Sequence, residues 1–153
     1  MAGNWVENIA KGRAAELWNR VDANDPSTSV IVLVPLKVTT TEAEARDYAN
    51  LKTFLEGTAD EQTEGWSRKV LTDTETGAMT VDNANDRMPL SVPETKWTAP
   101  TSGKNTAGLA ICYDPKAGEG TDEEIVVLTV HDFVVTADGN DVILSPGEFY
   151  RAS

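Results

Sequence analysis

The sequence predicts a mainly β, α+β fold: an antiparallel β-sandwich or barrel preceded by an N-terminal helix and a second short helix. Three observations carry this. Helix-like spacing of apolar residues is confined to the segments before residue 56. A short β-branched run lies between those two segments. From Trp66 onward, short stretches rich in β-branched and aromatic residues follow one another, separated by turn residues. At 153 residues the chain suits one domain, residues 1–153, that buries about two-thirds of its unfolded surface.

The first element is predicted as an amphipathic helix over residues 1–25. Asn4 with Glu7 has the spacing of a capping box. Trp5, Ile9, Ala14, Leu17, Trp18 and Val21 then recur mostly at steps of three and four, on one stripe. Asn24-Asp25-Pro26 stops it, since proline disfavours helical geometry in the residue before it. A stripe with two tryptophans needs a large apolar partner, either this protein's own sheet or another subunit. Trp5, Ile9, Arg13, Leu17 and Trp18 are therefore the candidate partner-binding residues of an anchoring arm.

Ser29 to Val38 is the most apolar stretch and reads as a buried strand, placed at an edge or bulged at Pro35, which lacks an amide hydrogen. Thr41 and Glu44 form a second capping box, opening a helix through Leu55 that Gly57 ends. Its inward stripe is Tyr48, Leu51 and Leu55, with Phe54 at the margin. Strands are expected at 66–72, 78–81, 87–92, 95–98, 109–113, 124–130, 133–136 and 142–144, with His131-Asp132 interrupting the longest run. Stretches 58–65, 100–106 and 116–122 read as loops.

The charge narrows the partners. Thirteen Lys and Arg against 25 Asp and Glu give a net charge of −12, which repels phosphate backbones and anionic lipid. A basic protein surface is compatible with it. No apolar run approaches the roughly 20 residues that a spanning helix needs. The N-terminus has no basic patch followed by an apolar stretch, so cytoplasmic synthesis is expected.

The residues give no catalytic set. His131 is the one histidine and Cys112 the one cysteine, so multi-histidine and multi-cysteine metal sites are excluded. His131 reads as fixing a bend, and Cys112, within Leu109-Ala110-Ile111, as a small buried thiol. Asp82, Asn83, Asn85 and Asp86, like Asp138, Asn140 and Asp141, are oxygen-rich, yet Asn and Asp are also what tight turns require. No glycine-rich phosphate loop or nucleophile elbow is present. No cofactor is expected. The four tryptophans offer sugar-stacking faces only if they are exposed; their positions on a stripe and on strands favour the core.

Several segments resemble small virion structural proteins of tailed bacteriophages. They are Ala10-Lys11-Gly12-Arg13, Trp18-Asn19-Arg20-Val21, Asn24-Asp25-Pro26, the apolar strand into Leu36-Lys37, Arg68-Lys69-Val70-Leu71, Asp82 to Arg87, Trp97-Thr98-Ala99, Cys112-Tyr113-Asp114-Pro115, His131-Asp132-Phe133 and Gly147 to Ala152. The resemblance runs nearly end to end, though none of these motifs is diagnostic of chemistry. It implies a non-enzymatic particle protein of many copies, similar to capsid decoration proteins on the outer head shell. The partner would be the major capsid protein of the same phage, and the protein a homo-oligomer, a trimer at three-fold positions. Tail or baseplate placement is the alternative within the same resemblance, and a carbohydrate-binding sandwich is the alternative outside it.

Overall fold

The computed structural model describes residues 4–38, 40–57, 60–117 and 119–152. Residues 1–3 of the expected first helix, and residues 58, 59 and 118 of the expected loops, lie outside the described residues. The chain is mainly β with short helices, and every strand pairing is antiparallel, as the patterning predicts.

The start of the chain departs from expectation. Trp5–Val6 is a strand, β1; Asn8–Ala10 is a single turn of 3-10 helix; only Ala14–Asp22 is α-helix, α1. Tertiary hydrogen bonding decides this. Trp5 sits in register with Val130, and the Glu7 N–H donates to the Leu128 carbonyl at 3.0 Å. Gly12, at φ 97°, breaks the path between the two halves. The Asn4–Glu7 capping box is not made: Asn4 Oδ1 accepts instead from the Asp132 N–H at 2.9 Å. The helix does end before Asn24-Asp25-Pro26.

Val30–Leu36 forms β2, buried along its whole length. Alternate residues face opposite ways, so a strand buried on both faces reads as a continuous apolar run. Ile31 and Leu33 enter one core, while Val30, Val32, Val34 and Leu36 enter the other. Pro35 is tolerated because the neighbouring strand β3, Lys69–Leu71, covers only Ile31 to Leu33. Beyond it the Pro35 carbonyl accepts from the Gln62 N–H at 2.9 Å, and no strand asks for an amide hydrogen.

Thr41 and Glu44 make their capping box, with the Thr41 hydroxyl 2.7 Å from Glu44 Oε2. The helix it opens is split into α2, Glu42–Ala45, and α3, Leu51–Gly57. Long-range bonds take the backbone groups that a continuous helix would use. The Arg46 carbonyl accepts from Asn8 N–H, and the Leu51 N–H donates to Ile125. The split rotates the inward stripe, so Phe54 is fully buried beside Leu51 while Tyr48 and Leu55 are half-buried. A third capping box, Thr72 with Glu75, opens the one-turn α4, Asp73–Thr76, where no helix was expected.

The remaining strands are β4 (Met88–Val92), β5 (Thr95–Trp97), β6 (Thr106–Asp114), β7 (Val126–Val135), β8 (Val142–Leu144) and β9 (Gly147–Ala152). The expected strand at residues 78–81 does not form, apart from an isolated bridge between Asp82 and Arg87. His131 and Asp132 do not interrupt β7. The β6–β7 register does shift between the Gly108–Asp132 and Thr106–Val135 pairs, which puts a bulge just past Asp132.

A five-stranded sheet, in the order β1-β7-β6-β2-β3, divides the core. One face is covered by α1 and by the two-stranded ribbons β4–β9 and β5–β8, through Leu17, Trp18, Leu90, Trp97 and Phe149. The other is covered by α2 and α3, through Ala45, Leu51 and Phe54, with Trp5. Arg68 ties the loops together at the sheet edge. It is held by Glu61 at 2.8 and 2.7 Å and by Asp122 at 2.6 and 2.9 Å, two forked pairs on one guanidinium.

Candidate functional site

The five residues expected on an anchoring face do not share one. Leu17 and Trp18 are buried under the ribbons, where the Trp18 ring lies 5.3 Å from that of Phe149. Trp5 is buried on the opposite side of the sheet and donates its indole N–H to Glu7 Oε1 at 2.7 Å. Ile9 is half-buried and Arg13 is exposed. The helical stripe that would have joined them is broken at Gly12, so the arm is part of the domain's own core.

A concave surface lies elsewhere, where the edge strand β1 and the end of β7 part from β9. One cavity, of about 190 Å3, is floored by Leu109, Ile111 and Phe149 and walled by Val92 and Leu144. The second, of about 220 Å3, lies between Asn4-Trp5-Val6 and Phe149-Tyr150-Arg151. Asn4, His131 and Phe149 line both, so the two form one groove. Trp5 is the one expected site residue that borders it.

His131 sits at the join. Its Nε2 is 2.8 Å from Thr129 Oγ1, and its ring meets Phe149 edge-on at 6.4 Å. Burial lowers its pKa, against a smaller opposing pull from Asp132, so the imidazole is held neutral. Its partner is a hydroxyl rather than an orienting carboxylate, and no nucleophile contacts it among the described residues. On the rim, Glu148 Oε1 is bound by Arg151 Nε at 2.5 Å. Asp132 makes no ion pair among the described residues, and its own N–H is taken by Asn4.

Cys112 does not approach this groove. It is fully buried among Val127 and Val130 under the helical layer, whereas His131 faces the ribbon layer. The sheet lies between them. Burial also pushes the thiol pKa up, which removes thiolate.

In the two oxygen-rich loops Asp82 and Asp138 are spent on their own turns, and Asp141 is spent on the segment of β5. Asp82 Oδ2 accepts from Asn85 at 2.9 Å and from Arg87 at 2.7 Å. Asp138 accepts from Asn140 twice at 3.0 Å, and Asp141 accepts from the Ala99 N–H at 3.0 Å and pairs with Lys96 at 2.6 Å. Among the described residues no group of three or more His, Cys, Asp or Glu is placed to hold a metal. No described helix is long and apolar enough to cross a membrane.

All four tryptophans are buried. Trp66 and Trp97 form an aromatic cluster with Phe133 at centroid distances of 5.5 to 6.0 Å, and each indole N–H is bonded to a backbone carbonyl. They leave no exposed indole face for a sugar.

Sequence reasoning missed β1 and β9, the two strands that bound the groove. The β9 signal is present: Pro146-Gly147 is turn chemistry, and Phe149-Tyr150 are strand formers. Comparison with protein-family models, with curated proteins and with solved structures gives no match.

Proposed function

We propose that the chain is a non-enzymatic structural protein of a tailed-phage virion, a decoration protein that binds the outer surface of the head shell. The observation that carries this is the character of the groove. Its walls are strand edges and apolar side chains with Asp132, Glu148 and Arg151 at the rim, and its histidine is bound to a hydroxyl with no nucleophile in contact among the described residues. Such a surface suits adhesion to another chain. The near end-to-end resemblance to small virion proteins supplies the setting.

As a decoration protein it would contact the major capsid protein of the same phage, as a trimer at three-fold positions. Binding only to the assembled shell would stabilise that shell by linkage. The sugar-binding alternative loses its support with the burial of the tryptophans.

The test is co-sedimentation of the purified chain with empty heads of the phage that encodes it, beside detached tails. Saturable binding to heads, with a rise in their melting temperature, is the expected result. Binding to tails alone would move the protein to the tail or baseplate, and binding to neither would overturn the reading.

A further inference from the structure

Two strand edges face each other across the groove with no hydrogen bond between them. Among the described residues β1 pairs only with β7, β9 pairs only with β4, and the three sheets are separate. The Glu7 N–H donates into β7. Backbone groups alternate in direction along a strand, so Trp5 shares that direction and the Val6 N–H and C=O point to the open side. On the other bank, Pro89 stands opposite Arg151. A strand proline is placed where its missing N–H faces away from its partner, and the backbone groups of the residue opposite then face away as well. Val6 and Arg151 line the same cavity.

The side-chain features add to this. The adjoining cavity over Leu109 and Ile111 has room for about one large apolar side chain. Asp132 stands on its rim without an ion-pair partner among the described residues, on a chain of net charge −12. Opposite charge on the occupant answers both the local carboxylate and the overall field.

We infer that the groove accepts an extended segment of a partner protein as an added β-strand, carrying a basic side chain to Asp132 and an apolar side chain over Leu109 and Ile111. Main-chain hydrogen bonds to Val6 and Arg151 hold the segment, and the alternate side chains select it. The inference stands on the groove and does not require the virion reading.

The probe is a blocked heptapeptide alternating lysine with valine or isoleucine, titrated into the full chain by fluorescence anisotropy, with amide hydrogen exchange read by NMR. Saturable binding that protects the Val6 and Arg151 amides is expected. The same peptide with proline at its centre should bind roughly tenfold more weakly, since it loses a main-chain donor. Asp132→Asn alters a side chain that makes no hydrogen bond or ion pair among the described residues, and should weaken binding about three- to tenfold.

Equal binding of the proline peptide would mean only attraction between a cation and an acidic chain, and would overturn the proposal. Unprotected amides at Val6 and Arg151, or an unchanged affinity in Asp132→Asn, would do the same. Protection of those amides that rises with protein concentration and without peptide would give the groove to a second copy of the chain instead. A failed peptide titration beside successful head binding would leave the virion reading standing.

Discussion

A single carboxyl, that of Glu7, sets the most specific expectation at the scale of residues. It is fully buried; Oε1 accepts the Trp5 indole N–H at 2.7 Å and Oε2 has no partner among the described residues. Burial raises its pKa from 4.5 to about 7, helped by Asp47 and Glu42 and opposed by the Trp5 hydrogen bond and by Lys11. In the unfolded chain the same group titrates near the ordinary value. Between pH 4.5 and 7 the folded state therefore holds a proton that the unfolded state has released, and stability from this group falls as pH rises. It is fully present below pH 4.5 and lost once pH passes about 7. His131 acts in the opposite sense, because its pKa is lowered: its contribution is present above the usual histidine value and lost as pH falls. A stability curve of the native chain mixes the two, so the informative quantity is the difference from Glu7→Gln, whose side chain mimics the protonated acid. In urea unfolding the two proteins should match at pH 4.5, and the variant should become more stable by an amount on the order of 3 kcal/mol by pH 8. Parallel curves would mean that Glu7 ionises at its ordinary pH.

The helix α1 shows what one element contributes and how far it was legible. Leu17, Trp18 and Val21 fill the core beneath the ribbons, and Glu16 with Arg20 forms an exposed pair one turn apart. Leu17→Ala should therefore cost the isolated chain about 2–5 kcal/mol, from lost burial and the cavity left behind. An arm that docks only on a partner would show no change in melting temperature, so calorimetry of the free protein separates the two. The periodicity of residues 14–21 is legible in the sequence because packing and helix share it. The end of that helix toward Trp5 is not legible, because a three-to-four spacing does not show that Trp5 is paired to Val130 across the chain. The capping boxes behaved likewise. Thr41 with Glu44 marked a real helix start, but the helix length was set by the bonds of Arg46 and Leu51 to distant segments. β2 was the most readable element, since burial on both faces leaves an unbroken apolar run. The groove was the least readable. It is assembled from residues near 5, 92, 110, 131 and 148, and only strand pairing brings those segments together.

At the scale of the whole molecule, the net charge of −12 opposes the compact state, and the balance between it and the ion pairs is measurable. Most of the ion pairs among the described residues have side chains about half exposed, as in Lys96–Asp141 and Lys52–Glu123. Each exposed pair is worth roughly 0–1 kcal/mol. The Arg68 clamp and the Arg87–Asp82 pair are the better-shielded exceptions, and Arg68 holds Asp122 below the usual carboxylate range. The repulsion acts over longer distances. A chain of this length has a radius of gyration of about 15 Å, so carboxylates on opposite sides interact at about 0.01 M salt, where the screening length is roughly 30 Å. At about 0.1 M the length falls to roughly 10 Å, which removes that repulsion while pairs in contact keep most of their attraction. The melting temperature should therefore rise between low salt and about 0.2 M sodium chloride, read by calorimetry at pH 7. A fall over the same range would mean that the ion pairs, and not the excess of carboxylates, dominate the electrostatics of the fold. Association with a basic partner depends on the same field with the opposite sign, so salt that stabilises the free chain should slow its capture of that partner.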